Sequence, residues 1–243
     1  MTDKSFPPTI RIGILIYTEF EPIDVWGFIE AFAISRFLGT AYQSPPPYPF
    51  EIVLISNEVT PSRNAAAPAP VKSANGPRVA PDIYRDQSPT QPFDLLMIPG
   101  GNTAPLLDEK NPKAVKALVA WVRAMDERVK LMTSVCTGAA VLARAGLLDG
   151  KPATTNHNAF AWVTQFGPAV LWDNVSRWVD AGRYVTSAGV SSGTDMAFHL
   201  VDRLAGRAVA EAAAKEAEYD WHRDPQEPIH YPQQAELPQP KRQ

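Results

Sequence analysis

This sequence predicts an α/β fold on a mostly parallel, doubly wound sheet, and three observations carry the prediction. Continuous apolar runs of strand length recur along the chain, segments of helical periodicity separate them, and turn residues fall between the two. The chain has 243 residues, 45% of them hydrophobic, enough for one sizeable core. No internal repeat and no linker between two cores divides it. We therefore read residues 1–225 as a single domain and 226–243 as a Pro-rich tail.

The elements follow in order. Ile10 to Tyr17 (IRIGILIY) has the near-continuous apolar pattern of a strand covered on both faces. Val25, Phe28, Ile29 and Phe32 then recur at helical spacing in PIDVWGFIEAFAISRF. Phe50 to Ser56 is a second strand, and Phe93 to Gly101 (FDLLMIPGG) a third that ends in paired glycines. NPKAVKALVAWVRAMDE is an amphipathic helix with Asn111 as N-cap and Pro112 at its first position. Val129 to Val135 is a fourth strand, feeding Cys136 and the helix GAAVLARAG, which Gly146 stops. KPATTN reads as a strand, NAFAWVTQF as a helix, and NVSRWVDAGRYVTSAG as a hairpin turning at Ala181-Gly182. Helices GTDMAFHLVDRLAG and AVAEAAAKEAEYDW close the domain.

Twenty-four prolines cluster in Gln43–Phe50, in Thr60–Asp82 and in the tail. Proline breaks helices and central strands, so these stretches read as loops, an edge excursion and a poorly ordered terminus. A formal net charge of -3 gives no support to nucleic-acid or membrane-surface partners, and the small-molecule substrate expected here rests on the residues at the strand ends. One cysteine cannot form an internal disulfide. The opening residues lack a signal-peptide pattern, and the apolar runs fall short of the roughly 20 residues that span a bilayer. A cytoplasmic protein is expected.

Sites in doubly wound sheets form beyond the carboxyl ends of the strands. That rule selects Asp24 and its neighbours, Gly100-Gly101, Cys136 and the TSAG segment, Thr186 to Gly189. A sharp strand-to-helix turn would push Cys136 out of the sheet as a nucleophile elbow does, and a helix N-terminus would favour its thiolate. The competing reading is a buried packing cysteine. Gly100 and Gly101 could aim backbone amides at a ligand oxygen, or simply make a turn. The first βα connection carries Glu19, Glu21 and Asp24. Asp24, where the helix begins, could exchange a proton with the cysteine or merely interact with the helix dipole. His157 reads as a surface or capping residue and His199 as part of a helix face. Trp26, Trp162, Trp172 and Trp178 read as core more readily than as pocket lining. No zinc-ligand spacing, dinucleotide fingerprint or phosphate loop occurs, so no cofactor and no metal are expected.

IPGG, SVCTGAAVLARAGLLDGKPATT and VTSAGVSSGTDMAFHLVDRLAG together resemble the DJ-1/PfpI superfamily, in its isonitrile hydratase-like and AraC-regulator-like branch, from about Ile10 to Trp221. The resemblance implies a flavodoxin-like sandwich, commonly dimeric, with a reactive cysteine at the elbow. It places Cys136 at the nucleophile, Thr137 at the residue after it, Asp24 at the acidic partner and Gly100 and Gly101 in an amide-donor loop. Ala188, Gly189 and Val190 fall on the segment that lines the hydratase pocket. The implied reaction is addition of water to an isocyanide, giving an N-substituted formamide. A redox or ligand-sensing protein and a glyoxalase-like enzyme are the alternatives. Thr137 stands where peptidase-like members often carry histidine. Asn156 stands where the regulators' TTHW motif has its histidine. The chain stops after Trp221 and the tail, so no DNA-binding half is expected.

Overall fold

The computed structural model describes residues 6–40, 47–62 and 67–229. Its strands are β1 (Ile10–Ile16), β2 (Phe50–Ser56), β3 (Val71–Lys72), β4 (Arg78–Val79), β5 (Ile83–Tyr84), β6 (Leu95–Ile98), β7 (Leu131–Val135), β8 (Pro152–Thr154), β9 (Leu171–Asp173), β10 (Trp178–Ala181) and β11 (Tyr184–Ser187). Its α-helices are α1 (Pro22–Ala33), α2 (Pro112–Asp126), α3 (Ala139–Arg144), α4 (Phe160–Val163), α5 (Val190–Ala205) and α6 (Arg207–Glu216).

Seven strands form the central sheet in the order β10-β11-β7-β6-β1-β2-β5. All neighbours are parallel except the β10–β11 hairpin at one edge. The middle strands are apolar on both faces because helices cover both. Leu95, Leu96, Met97 and Ile98 are each 0% exposed. Helix α1 packs against α5 and α5 against α6, while α2 packs against α3. This is the doubly wound sheet expected from the alternation of strands and helices, in the flavodoxin-like sandwich that the resemblance implies. Chain order reverses between β1 and β6, so the crevice of the fold opens above that pair. Ser187 lies opposite Val135 and Ile98 opposite Ser134, which brings three loops to one level at the carboxyl edge.

Asn111 caps α2 as expected, its side chain accepting the Ala114 N–H, with Pro112 in the first turn. Trp178 and Trp121 are core, whereas Trp26 is exposed on α1. Two Pro-rich stretches hold more order than expected. Within Thr60–Asp82, β3 and β4 pair as an antiparallel hairpin, and Ser73 bridges Phe20 in the first βα loop. The tail's first residues, Gln226 to Ile229, follow a segment tied to α5; its remainder lies outside the described residues.

That tie is a buried ion pair. Asp195, 0% exposed, accepts from Arg177 Nη2 at 2.5 Å and Nε at 3.1 Å on Oδ2. Its Oδ1 accepts the Tyr219 hydroxyl at 3.0 Å and the His222 N–H at 3.1 Å. The Trp221 indole donates to the Asp195 carbonyl. Arg177 donates its own N–H to the Pro225 carbonyl at 2.8 Å, and Gln226 Nε2 donates to Ser176 Oγ.

Candidate active site

The chain leaves β7 in extended conformation at Val135 and turns at Cys136, whose φ is +58°. A left-handed backbone at a residue other than glycine is strained by on the order of 1–3 kcal/mol and persists only where its surroundings fix it. Here the fixing contacts are visible. The Thr155 hydroxyl donates to the Cys136 carbonyl at 2.8 Å. Gly138 lets the turn pass close to β6, for a Cβ there would lie 2.1 Å from the Ile98 carbonyl oxygen. A single 3₁₀ turn, Cys136 to Gly138, leads into α3. The strand-turn-helix elbow read from the sequence is therefore present.

Asp24 sits at the third position of α1, after Pro22 has set the first turn, and is 0% exposed. Its Oδ2 accepts the Gly100 N–H at 2.7 Å. Its Oδ1 is buried with no hydrogen-bond partner, and the carboxyl meets the Cys136 thiol. Three segments hold this arrangement through their backbones. Glu21 N–H donates to the Gly100 carbonyl and Asn102 N–H to the Glu19 carbonyl, each at 2.9 Å. From the other side, Glu19 N–H donates to Lys72 O at 2.7 Å and Ala74 N–H to Phe20 O at 2.9 Å. Gly101 allows this approach, having a φ of +112° and an absent Cβ that would fall 2.3 Å from Glu19 O. The buried Tyr17 hydroxyl donates to the Gly100 carbonyl at 2.7 Å, with the Pro99 carbonyl at 3.0 Å.

Burial raises the carboxyl of Asp24 from 3.8 to about 7; the Gly100 N–H and the thiol oppose that shift and the charge of Glu21 adds to it. Burial also pushes the Cys136 thiol from 9.0 up to about 12, and the negative charge of Asp24 pushes in the same direction. The Thr137 N–H and the Asn156 side chain favour the thiolate, and they are outweighed. The resting sulfur is thus a thiol, not the thiolate expected from its place before a helix. The reason is that Cys136 is buried, 7% exposed, beside the Asp24 carboxyl. A carboxylate that titrates near neutrality beside a thiol is a suitable base for the moment of attack.

Asn156 is the residue missing from the sequence-based set of site residues. Its Oδ1 accepts the Ala159 N–H at 3.0 Å, which turns its amide nitrogen toward the sulfur. A signal existed in TTN, where Asn156 replaces the histidine of the regulators, but no spacing rule reveals its contact. Asn156 also lines a pocket of about 340 Å³ together with Ile23, His157, Gly189, Val190 and Ile229. His157 accordingly borders this pocket rather than the open surface, and its Nε2 is buried without a partner.

Other expected residues are placed differently. Gly100 gives its amide to Asp24, so it holds the acid instead of facing a ligand. Ala188 is 0% exposed and its N–H donates to Arg177 O, because the chain there still runs beside the β9–β10 connection. Gly189 and Val190 do reach the pocket. Gly101 keeps an amide with no partner among the described residues. The Thr137 hydroxyl donates to Gly101 O at 3.2 Å, joining the elbow to the glycine loop. No group of three acidic, histidine or cysteine side chains could hold a metal ion among the described residues. No helix there is long and apolar enough to cross a membrane.

A flavodoxin-like sheet with a strained cysteine at the strand-helix elbow, faced by a buried acid from the first helix, defines a class of cysteine-centred α/β proteins. The chain belongs to the DJ-1/PfpI family, whose profile matches residues 11–203. It is 30% identical over 151 residues to an isonitrile hydratase of Pseudomonas putida, covering 62% of this chain and 61% of the hydratase. It is 28% identical over 157 residues to the HTH-type transcriptional regulator GbdR of Pseudomonas aeruginosa, covering 65% of this chain but 40% of the regulator. A glutathione-independent glyoxalase of Caenorhabditis elegans, DJR-1.2, is 30% identical over 137 residues, 56% of this chain and 69% of the glyoxalase. Among solved structures, a ThiJ/PfpI family protein from Pseudomonas syringae superposes with a TM-score of 0.69 at 23% identity, over 90% of this chain and 84% of that one.

Proposed function

We propose that the protein is a cysteine-dependent enzyme that adds water to an isocyanide to give an N-substituted formamide. The observation that carries the reading is the unpartnered Oδ1 of buried Asp24 beside the Cys136 thiol. Sγ bonds to the isocyanide carbon as Asp24 takes the thiol proton. Asp24 returns that proton to the same carbon, and a thioimidate results. Water then adds to its carbon–nitrogen double bond and the nitrogen gains a proton. The carbon–sulfur bond breaks, the sulfur recovers a proton, and the formamide leaves. The open amide of Gly101 and the side chain of Asn156 are the donors available to developing charge. The pocket beside Asn156 has no acidic, lysine or arginine side chain among its described lining, which suits an uncharged substrate. The hydratase relative supports the same chemistry.

The test is incubation with a simple alkyl isocyanide and detection of formamide by mass spectrometry. Product from wild type that is lost in Cys136→Ser supports the reading. No product from wild type, or equal product from Cys136→Ser, removes it. The glyoxalase relative motivates a parallel assay, lactate from methylglyoxal, as the rival outcome.

A further inference from the structure

The segment after α6 has no role in the chemistry above, yet its residue Ile229 lines the pocket. Residues 219–222 fasten to Asp195, in the second turn of α5, through the Tyr219 hydroxyl, the Trp221 indole and the His222 N–H. The chain then runs past the strand-entry segment Ser176-Arg177, held there by Pro225 O and Gln226 Nε2. His222 Nδ1 and Glu227 Oε2 lie 2.9 Å apart and brace the bend between them. Ile229 is thereby delivered to the pocket that the first residues of α5 also line. Helix and segment share the Asp195 anchor, so they form one unit around the pocket.

We infer that this C-terminal segment is the specificity wall of the active-site pocket, with Ile229 contacting the hydrocarbon substituent of an uncharged electrophile. Ile23 from α1, Val190 from α5 and Ile229 supply three aliphatic surfaces from three separate elements. Asn156 faces both this pocket and the sulfur, so it marks the end at which the reactive carbon lies. The volume of about 340 Å³ is near the low end of the roughly 300–1,000 Å³ usual for small-ligand sites. A branched or cyclic alkyl group is of a size to fill such a space. The inference deepens the hydratase reading and rests on it for the identity of the electrophile.

The test reads the pocket without turnover. Cys136 is the single cysteine, so its labelling by N-methylmaleimide and N-cyclohexylmaleimide is followed by intact mass. Removing or adding a few carbons in an apolar pocket shifts selectivity by about tenfold or more. Ile229→Ala is expected to raise the cyclohexyl-to-methyl rate ratio by about tenfold, and Ile229→Trp to lower it by a similar factor. Ile229→Leu is expected to restore the wild-type ratio, and circular dichroism confirms that each variant is folded. An unchanged ratio in both Ala and Trp variants overturns the proposal, as does failure of both reagents to label wild type. A shifted ratio without formamide production keeps the wall and discards the hydratase. Formamide production with an unshifted ratio does the reverse.

Discussion

Asp24 and Asp195 are both 0% exposed, and burial raises the pKa of each, yet they do opposite things. Every oxygen of Asp195 is occupied, by Arg177, Tyr219 and a backbone N–H. Asp24 has one amide on one oxygen and nothing on the other. A fully satisfied buried charge ties elements together, whereas an incompletely satisfied one beside a thiol remains available to exchange a proton. The unfilled lone pair, more than burial, separates the carboxyl proposed to react from the structural one.

Substitution by asparagine separates the two most sharply. Asp24→Asn removes the base and is expected to lower formamide production by about 10²–10⁴-fold, measured as initial rate, while the protein stays folded. Asp195→Asn should instead cost about 3–5 kcal/mol in urea unfolding, because Arg177 is left buried beside a neutral group. The two variants exchanging these phenotypes would break the comparison.

Next in size is the dependence on pH. The folded value of Asp24 is about 7 against 3.8 for the free side chain, so its ionisation opposes folding. Below 3.8 both states are protonated and nothing is lost; the penalty grows as pH rises and is complete above about 7, where it reaches about 4 kcal/mol. Asp24→Asn should therefore be more stable than wild type above neutrality, with the gap closing toward pH 4, as read from melting temperatures across pH. A gap that widens in acid would contradict the assignment. Over the same range wild-type turnover should rise with pH through about 7 as the base ionises.

The smallest effect belongs to Tyr17→Phe, which removes the hydrogen bond to the Gly100 carbonyl and so loosens the amide that holds Asp24. About 1 kcal/mol of stability is expected to go, together with an upward move of the midpoint pH of turnover, because a loosened Gly100 N–H no longer holds the Asp24 carboxyl down. No movement of that midpoint would limit Tyr17 to packing.

Much of this was legible in the sequence. Four apolar runs separated by amphipathic segments, with Val129–Val135 feeding a cysteine and small residues, implied the sheet, the elbow and the strand-end location of Asp24. Local patterns carry that information because they are set by neighbours along the chain. The protonation of Cys136 was not legible, since it depends on how deeply the folded site buries the sulfur and on a charge from α1. Asn156 and Tyr17 reach the site through contacts about 20 and 80 or more positions away in the chain. The β3–β4 hairpin escaped because two-residue strands among prolines have no period to read. The anchoring of the terminal segment escaped because its partner, Asp195, looks like any polar residue on an amphipathic helix.

The links between the Pro-rich hairpin, the Asp24 loop and the glycine loop run almost wholly between main-chain atoms. Side chains at Lys72 and Ala74 can therefore drift under mutation while the acid keeps its place. Lengthening or shortening that hairpin by a single residue is another matter, because it would slide the ladder by one rung and carry Asp24 out of line with the sulfur. Spacing, not composition, is what this part of the molecule must keep.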